Sequence, residues 1–318
     1  MKKIALLTSG GDAPGMNAAI RAVVRMGLHY GYEMVGIKQG YEGLLKGDFI
    51  PMVSTSVSEI LYRGGTVLQT ARCPEFEDPE VQRQAVEILR EQEIEALIVI
   101  GGDGSYKGAM ALCELGIQVI GLPGTIDNDL DYTDYTIGFD TAITTVMDSV
   151  SKIRDTSTSH NRTFVVEVMG RNCGDIALYA GLISGAEQVI VPEIPFTMDH
   201  ILDDIETGKE RGKKHHIILL SEGAGDPYEL TEKIQEVDPS ARLLIIGHLQ
   251  RGGSPTAHDR LIATRMGARA VELIHEDISG VAVGIKGNEI VHVEFQKALD
   301  IREPINKRLY DIAEILAR

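Results

Sequence analysis

Three carboxylates and a set of bare peptide groups follow two short aliphatic runs, and these residue types in this spacing suit metal-assisted phosphoryl transfer. Gly101-Gly102-Asp103-Gly104-Ser105 follows Ala96 to Ile100, and Pro123-Gly124-Thr125-Ile126-Asp127-Asn128-Asp129 follows Val119 to Leu122. Such runs read as neighbouring strands whose carboxyl ends are where open α/β sheets bind ligands. Asp103, flanked by glycines, has little packing value and is expensive to bury without a cation. It suits Mg²⁺, directly or through water, while the amides of Gly102, Gly104 and Ser105 face phosphate oxygens as a helix from Tyr106 begins. Asp127 and Asp129 alternate, so in an extended loop both side chains point the same way, one to accept a proton from an attacking hydroxyl and one to help hold the metal. The plainer readings are a capping aspartate and an Asx-turn that only shapes the loop.

A third loop, Thr8-Ser9-Gly10-Gly11-Asp12-Ala13-Pro14-Gly15-Met16-Asn17, joins the first strand to the first helix and would let amides approach a phosphate. It fits neither the dinucleotide G-x-G-x-x-G spacing nor the P-loop, and a tight βα turn explains it as well. Arg154, Arg162 and Arg171 surround the middle strand, and Arg242, His248 and Arg251 surround the strand Leu243 to Gly247. Singly each is a solvated charge; as a set at strand ends they read as clamps for a phosphorylated substrate. Arg211-Gly212-Lys213-Lys214-His215 is a further basic group, equally readable as a solvated turn.

The elements that must position these groups alternate along the chain. Strands are expected at Ile4 to Thr8, Met34 to Ile37, Ala96 to Ile100, Val119 to Leu122, Thr163 to Met169, Val189 to Val191, Ile217 to Ser221, Leu243 to Gly247 and Val281 to Ile285. Helices are expected at Met16 to Tyr30, Pro79 to Gln92, Tyr106 to Leu115, Thr141 to Asp155, Asp175 to Ser184, Asp199 to Glu210, Tyr228 to Val237, Asp259 to His275 and Ile305 to Leu316. The alternation implies mostly parallel sheets covered by helices on both faces, and Asp78 before Pro79 marks a capped helix start. A domain boundary is expected near Phe139 to Thr141, where a second strand-loop-helix series begins.

A chain of 318 residues with 43% hydrophobic content buries a sizeable core and suggests two domains. No apolar run approaches a membrane span, and the net charge of −16 opposes nucleic acid and anionic membranes. Cys73, Cys113 and Cys173 lack zinc spacing and read as free thiols, so a cytoplasmic protein is expected.

Together with Arg63-Gly64-Gly65-Thr66, Arg72-Cys73-Pro74-Glu75-Phe76, Met169-Gly170-Arg171 and His248-Leu249-Gln250-Arg251-Gly252-Gly253-Ser254-Pro255, these loops resemble the bacterial ATP-dependent 6-phosphofructokinase family over essentially the whole chain. The resemblance implies two similar Rossmann-like three-layer α/β domains with mostly parallel sheets and an active site in the cleft between them. Residues 1–138 plus 250–300 would be the ATP-binding domain, and 139–249 plus 301–318 the fructose 6-phosphate-binding domain. Gly11, Tyr41, Arg72, Cys73, Gly102, Gly104 and Ser105 would contact ATP, and Asp103 would serve Mg²⁺. Asp127 would take the proton from the sugar's 1-hydroxyl with Asp129 beside it, and Arg72 and Arg171 would neutralise charge on the transferring phosphoryl group. Thr125, Met169, Gly170, Arg171, Glu222, His248 and Arg251 would bind fructose 6-phosphate, with Arg162 and Arg242 reaching in from a neighbouring subunit of a homotetramer.

Small residues at Gly104 and Gly124 are similar to those of ATP-using rather than pyrophosphate-using relatives. By the same resemblance, Arg21, Arg25, Arg154, Gly185, Glu187, Arg211, Lys213, Lys214 and His215 match an effector site where ADP activates and phosphoenolpyruvate inhibits. Ser54, Glu59 and Glu77 depart from the pattern of some relatives, which bears on effector coupling and nucleotide affinity. A pyrophosphate-dependent phosphofructokinase is the nearest alternative. A lipid or NAD kinase leaves the sugar-phosphate arginines unexplained, and a non-catalytic effector-binding subunit has no need of Asp103, Asp127 and Asp129 together.

Overall fold

The computed structural model describes residues 2–301 and 303–317. Its strands are β1 (Lys3–Thr8), β2 (Glu33–Ile37), β3 (Phe49–Pro51), β4 (Ala96–Gly101), β5 (Gln118–Pro123), β6 (Thr163–Val168), β7 (Gln188–Ile190), β8 (His216–Ser221), β9 (Arg242–Ile245), β10 (Val281–Lys286) and β11 (Glu289–Glu294). Its α-helices are α1 (Met16–His29), α2 (Gly40–Lys46), α3 (Pro79–Glu91), α4 (Asp103–Glu114), α5 (Phe139–His160), α6 (Asp175–Ser184), α7 (Met198–Glu210), α8 (Pro227–Gln235), α9 (Ala257–His275), α10 (Phe295–Asp300) and α11 (Lys307–Leu316). The chain forms two compact units, the first from residues 1–126, 130–141 and 251–302, the second from 127–129, 142–250 and 303–318. Asp127, Asn128 and Asp129, placed within 1–138 by the sequence reading, cluster with the second unit.

The first unit is built on a sheet of order β11-β10-β5-β4-β1-β2-β3. Its inner pairs are parallel, while β3 and β11 pair antiparallel at the two edges. Every residue of β4 is buried, as expected for a strand covered on both faces. Leu97, Val99, Tyr106, Leu112 and Phe295 share one core cluster with Tyr41 and Phe76. The second unit carries a wholly parallel sheet, β7-β8-β6-β9, with Val165, Ile201, Ile205, Ile218, Leu220 and Ile234 in its core.

The alternation read from the sequence reappears with four additions. β3 is only three residues long, and β11 is a half-exposed strand rich in charge, so neither carries an apolar run. α2 contains Gly40 and Gly43, which lower its helix propensity, and α10 is a six-residue turn after β11. One start is corrected: α4 begins at Asp103, not Tyr106, because Gly102 is extended and Asp103 takes the first helical position, where the dipole favours a carboxylate. Asp78 caps α3 as read, accepting from Glu80 N at 2.8 Å with Pro79 in the first turn.

Two buried groups give the units opposite responses to acid. Burial, helped by Lys213, lowers the pKa of His216 to about 4, so the folded protein holds this imidazole neutral while the unfolded chain protonates it near 6.5. Stability from His216 is therefore full above pH 6.5 and lost as pH falls toward 4, about 2 kcal/mol of it between pH 7 and 5. Asp259 lies in the first unit and accepts from Gly138 N and Thr141 N, each at 2.8 Å, yet burial lifts it to about 6. Its folded form keeps a proton that the unfolded chain has released, so acidification from pH 6 toward 3.8 favours that unit. Thermal unfolding at pH 7 and 5 should show the second unit's transition falling, and His216→Asn should flatten that fall.

Candidate active site

In the first unit the carboxyl ends of β5, β4 and β1 lie side by side, with Gly101 opposite Pro123 and Thr8 opposite Ile100. Ser9 N donates to Ile100 O at 3.0 Å and Gly124 N to Gly101 O at 3.0 Å, which ties the three loops together. A β-carbon at Gly101 would lie 2.3 Å from Ser105 Oγ and 2.6 Å from Ser9 O, so only glycine permits this approach. The amino end of α4 opens here, with Ser105 N and Tyr106 N both bonded back to Gly102 O. No side chain caps it among the described residues. A helix start of this kind favours an anion. A β-carbon at Gly104 would meet nothing within 4 Å, whereas one at Gly124 would press on Ile100 and Met16 at 2.9 and 3.0 Å. Position 104 thus faces space, and position 124 is closed by packing.

Asp103 pairs with Lys107 at 2.9 Å across one helical turn, an exposed contact that a divalent ion can displace. No three His, Cys, Asp or Glu side chains come together as a metal cage among the described residues. One hard carboxylate beside an anion-favouring helix start fits Mg²⁺, which typically uses one or two carboxylates and completes its shell from phosphates and water. Thr125 is buried and stands next to Gly102, the nearest atom to a β-carbon there being Thr125 Cβ at 3.5 Å.

Tyr41 is buried, stacks on Phe76 with ring centroids 4.1 Å apart, and donates its hydroxyl to Ser105 O at 2.6 Å. Burial raises its pKa, so the hydroxyl remains a donor. Tyr41 therefore fixes the α4 loop from beneath. Tyr41→Phe should cost about 1 kcal/mol of stability and raise the KM of whatever anion α4 holds, with kcat little changed, as read by denaturation and steady-state kinetics. Cys73, half-buried, has its thiol pKa raised by burial and by Glu75 3.5 Å away, so it stays protonated. Arg72 is exposed, with no ion pair among the described residues.

Residues missed by the sequence reading brace these loops. Thr70 Oγ1 donates to Gly10 O at 2.8 Å, and Asn17 binds Arg63 O, Gly64 O and Val67 N. Gly64 touches the backbone of Gly253: a β-carbon there would lie 2.2 Å from Gly253 O. Arg251 also belongs to the first unit, donating to Asp12 O at 3.1 Å and lying where a β-carbon on Gly11 would be, 2.4 Å from Nη1.

The second unit gathers another set at the carboxyl ends of β6 and β8, where Val168 is opposite Ser221. Asp127, 1% exposed, meets Arg171 Nε at 3.2 Å. Arg171 sits in the left-handed region at φ 52°, held there by its own amide donating to Glu222 Oε1 at 2.7 Å. Gly170 has φ 135° and a β-carbon on it would strike Cys173 O at 2.5 Å. Gln250, wholly buried, accepts from Met169 N at 3.2 Å, and Asp175 accepts from Asn128 Nδ2 at 2.8 Å. Those two residues were not singled out from the sequence, although Gln250 lies inside a quoted motif. His248 is exposed on the short helical turn after β9. Arg162 and Arg242 stand instead at the amino ends of β6 and β9, separated from the Asp127–Arg171 pair by the six residues of β6, about 20 Å of strand.

A separate basic cluster lies at the end of α6. Arg154 donates to Ser184 O at 2.6 Å, Gly185 O at 2.8 Å and His215 Nε2 at 2.7 Å. Glu187 accepts from Ile217 N at 2.8 Å and lies 3.6 Å from both Lys213 and His215. Burial outweighs Glu187 and lowers the pKa of His215, leaving a neutral ring that accepts from Arg154. Arg211 and Lys214 are exposed beside it, while Arg21 and Arg25 lie on α1 in the first unit.

Fold and loops define an α/β protein with glycine loops and a helix start gathered at parallel strand ends. A family model described as phosphofructokinase matches residues 3–274, and the chain belongs to that family. It is 56% identical over 317 residues to "ATP-dependent 6-phosphofructokinase 1" of Clostridium perfringens, covering 99% of both chains. It is 56% identical over 318 residues to the ATP-dependent 6-phosphofructokinase of Clostridium tetani, covering 100% of both. Among solved structures, phosphofructokinase from Saccharomyces cerevisiae superposes with a TM-score of 0.89 at 36% identity; all of this chain matches 48% of the yeast chain. A pyrophosphate-dependent phosphofructokinase from Marinobacter aquaeolei, 21% identical with a TM-score of 0.87 over 100% of this chain and 92% of that one, shares the fold. No helix among the described residues is long and apolar enough to cross a membrane.

Proposed function

We propose that this protein is an ATP-dependent 6-phosphofructokinase, transferring the γ-phosphoryl group of MgATP to the 1-hydroxyl of fructose 6-phosphate in glycolysis. The observation that carries this reading is the buried Asp127 carboxylate 3.2 Å from the Arg171 guanidinium at the end of β6. Asp127 accepts the proton of the attacking hydroxyl, and Arg171 answers the charge on the phosphoryl group. In the first unit, Gly11, Gly102 and Gly104 present backbone to the nucleotide phosphates, Ser105 completes the α4 start beside them, and Arg72 and Cys73 line the nucleotide. Tyr41 acts through Ser105. Asp103 would hold the magnesium ion, whose chemistry is to neutralise phosphate charge, and Asp129 stands beside the base Asp127 in sequence. Thr125, Met169, Gly170, Glu222, His248 and Arg251 position the sugar phosphate. Phosphoryl transfer is mainly such positioning and electrostatics. A coupled assay on purified protein should show turnover that needs MgATP and fructose 6-phosphate and exceeds turnover with pyrophosphate; the reverse donor preference would overturn the reading.

Arg162 and Arg242 lie too far along their strands to serve their own chain's Asp127, so we assign them to a second copy within a homotetramer. The Arg154, Gly185, Glu187, Arg211, Lys213, Lys214 and His215 cluster, with Arg21 and Arg25, is proposed to take the effectors ADP and phosphoenolpyruvate. Arg211→Ala should weaken the response to both roughly tenfold, the scale of one lost charged hydrogen bond, and leave unregulated turnover near normal. A collapse of basal rate in initial-velocity assays would contradict this separation. A cytoplasmic location accompanies the glycolytic role.

A further inference from the structure

Asn128 lies between Asp127 and Asp129 and turns left-handed at φ 55°, so the loop that carries the two carboxylates is not an extended run. A residue with a β-carbon keeps this conformation where its surroundings fix it. Asn128 is buried, and its amide nitrogen donates to Asp175 Oδ2 at 2.8 Å within the second unit. We infer that Asp175 is a positioning residue for the reaction, holding Asn128 in its turn and, through it, the Asp127 carboxylate in place. The inference rests on the reading of Asp127 as the base.

Asp175 is itself fixed. It opens α6, and the amide just before it, Gly174 N, donates to Glu193 Oε1 at 2.8 Å. A β-carbon on Gly174 would press on Val191 at 2.5 Å, so the start of α6 is packed tightly against the segment that follows β7. The same short turn, from Gly170 to Asp175, carries Arg171, which pairs with Asp127, and Cys173, whose thiol donates to Asn128 O at 3.9 Å. Burial raises the pKa of that thiol, which keeps it a donor. The turn thus grips the acidic loop at the Asp127 carboxylate, the Asn128 amide and the Asn128 carbonyl. Of these grips the Arg171 side chain is long and 55% exposed, whereas Asp175 is short and set in the first turn of a helix, so it has less freedom to drift. Such restraint matters to a base, because a misplacement of about 1 Å can cost about 10²-fold in rate.

Steady-state kinetics on the full chain, with kcat expressed per folded subunit, tests this. Asp175→Ala should lower kcat about 10- to 100-fold, with the KM of fructose 6-phosphate and of MgATP changed by less than about threefold. Asp175→Asn keeps an acceptor oxygen and should recover most of that loss. Asn128→Asp sets two carboxylates against each other and should fall as far as Asp175→Ala. Combining Asn128→Asp with Asp175→Asn exchanges donor and acceptor, and should regain most of the parent rate. In an Asp127→Ser background, Asp175→Ala should add no further loss, because a residue that acts through the base has nothing left to position. Should Asp175→Ala fail to fold, the exchanged pair decides, since it retains the bond. A folded Asp175→Ala protein with the parent kcat, no recovery in the exchanged pair, or a full further loss in the Asp127→Ser background would each overturn the inference while leaving the base in place. Parent turnover in Asp127→Ser alone would overturn the reading of the base, and the inference with it.

Discussion

Asp127→Ser is expected to lower kcat by about 10²–10⁴-fold, the usual contribution of a positioned general base. MgATP affinity should stay close to that of the parent protein, because Asp127 belongs to the second unit and the proposed nucleotide loops to the first. The fold should tolerate the change. Breaking a buried ion pair is severe when the surviving charge is stranded, but here the survivor is the Arg171 side chain, 55% exposed and free to be hydrated. Arg171 also keeps its backbone anchor on Glu222, so its position does not depend on the lost carboxylate. A group needed chiefly in the transition state lowers kcat and kcat/KM together. Steady-state kinetics with calorimetric titration of nucleotide checks both halves; an unchanged kcat would remove Asp127 from the reaction.

Gly104→Asp should weaken MgATP binding by about 10²–10³-fold, since a like charge set against a bound phosphate costs several kcal/mol. Protein stability should be unchanged or slightly higher. Position 104 opens on empty space and lies in the first turn of α4, where a carboxylate favours the helix. Gly104→Ala adds bulk without charge and should cost much less, which separates the two effects. The parallel experiment at Gly124 is less clean, because any β-carbon there presses on Ile100 and Met16. Donor choice is thus best examined at position 104, by comparing ATP and pyrophosphate turnover in the same variants. Full MgATP affinity in Gly104→Asp would show that the phosphates bind elsewhere.

Much of this arrangement is visible in the amino-acid string because it is local. Strand, glycine turn and helix start are contiguous around Gly101, strand and acidic loop are contiguous around Gly124, and a bare backbone beside a lone acid has few other uses. What escapes the string is contact across long separations. Arg171 meets Asp127 from a distant part of the chain, and its left-handed conformation depends on Glu222, which is at hand only because β6 ends beside β8. Gln250 supports Met169 from another strand-end segment, and nothing about a lone glutamine announces that duty. The start of α4 is hidden for a local reason, since glycines next to Asp103 suggest a loop where the helix has already begun. Tyr41 looks like a ligand contact by resemblance, whereas its hydroxyl is spent on Ser105.

The first unit draws on three separate stretches of chain, the last of them residues 251–302. On a ribosome, β1, β2, β4 and β5 emerge long before β10, the strand that pairs with β5 at Ile120 and Gly121. Until then β5 is a bare, aliphatic sheet border, and α1 lacks α9, the helix packed against it. Borders of that kind recruit other chains. A nascent polypeptide stalled near residue 250 therefore carries a sticky half-sheet, and production of this protein in cells should respond sharply to chaperone supply and to translation speed.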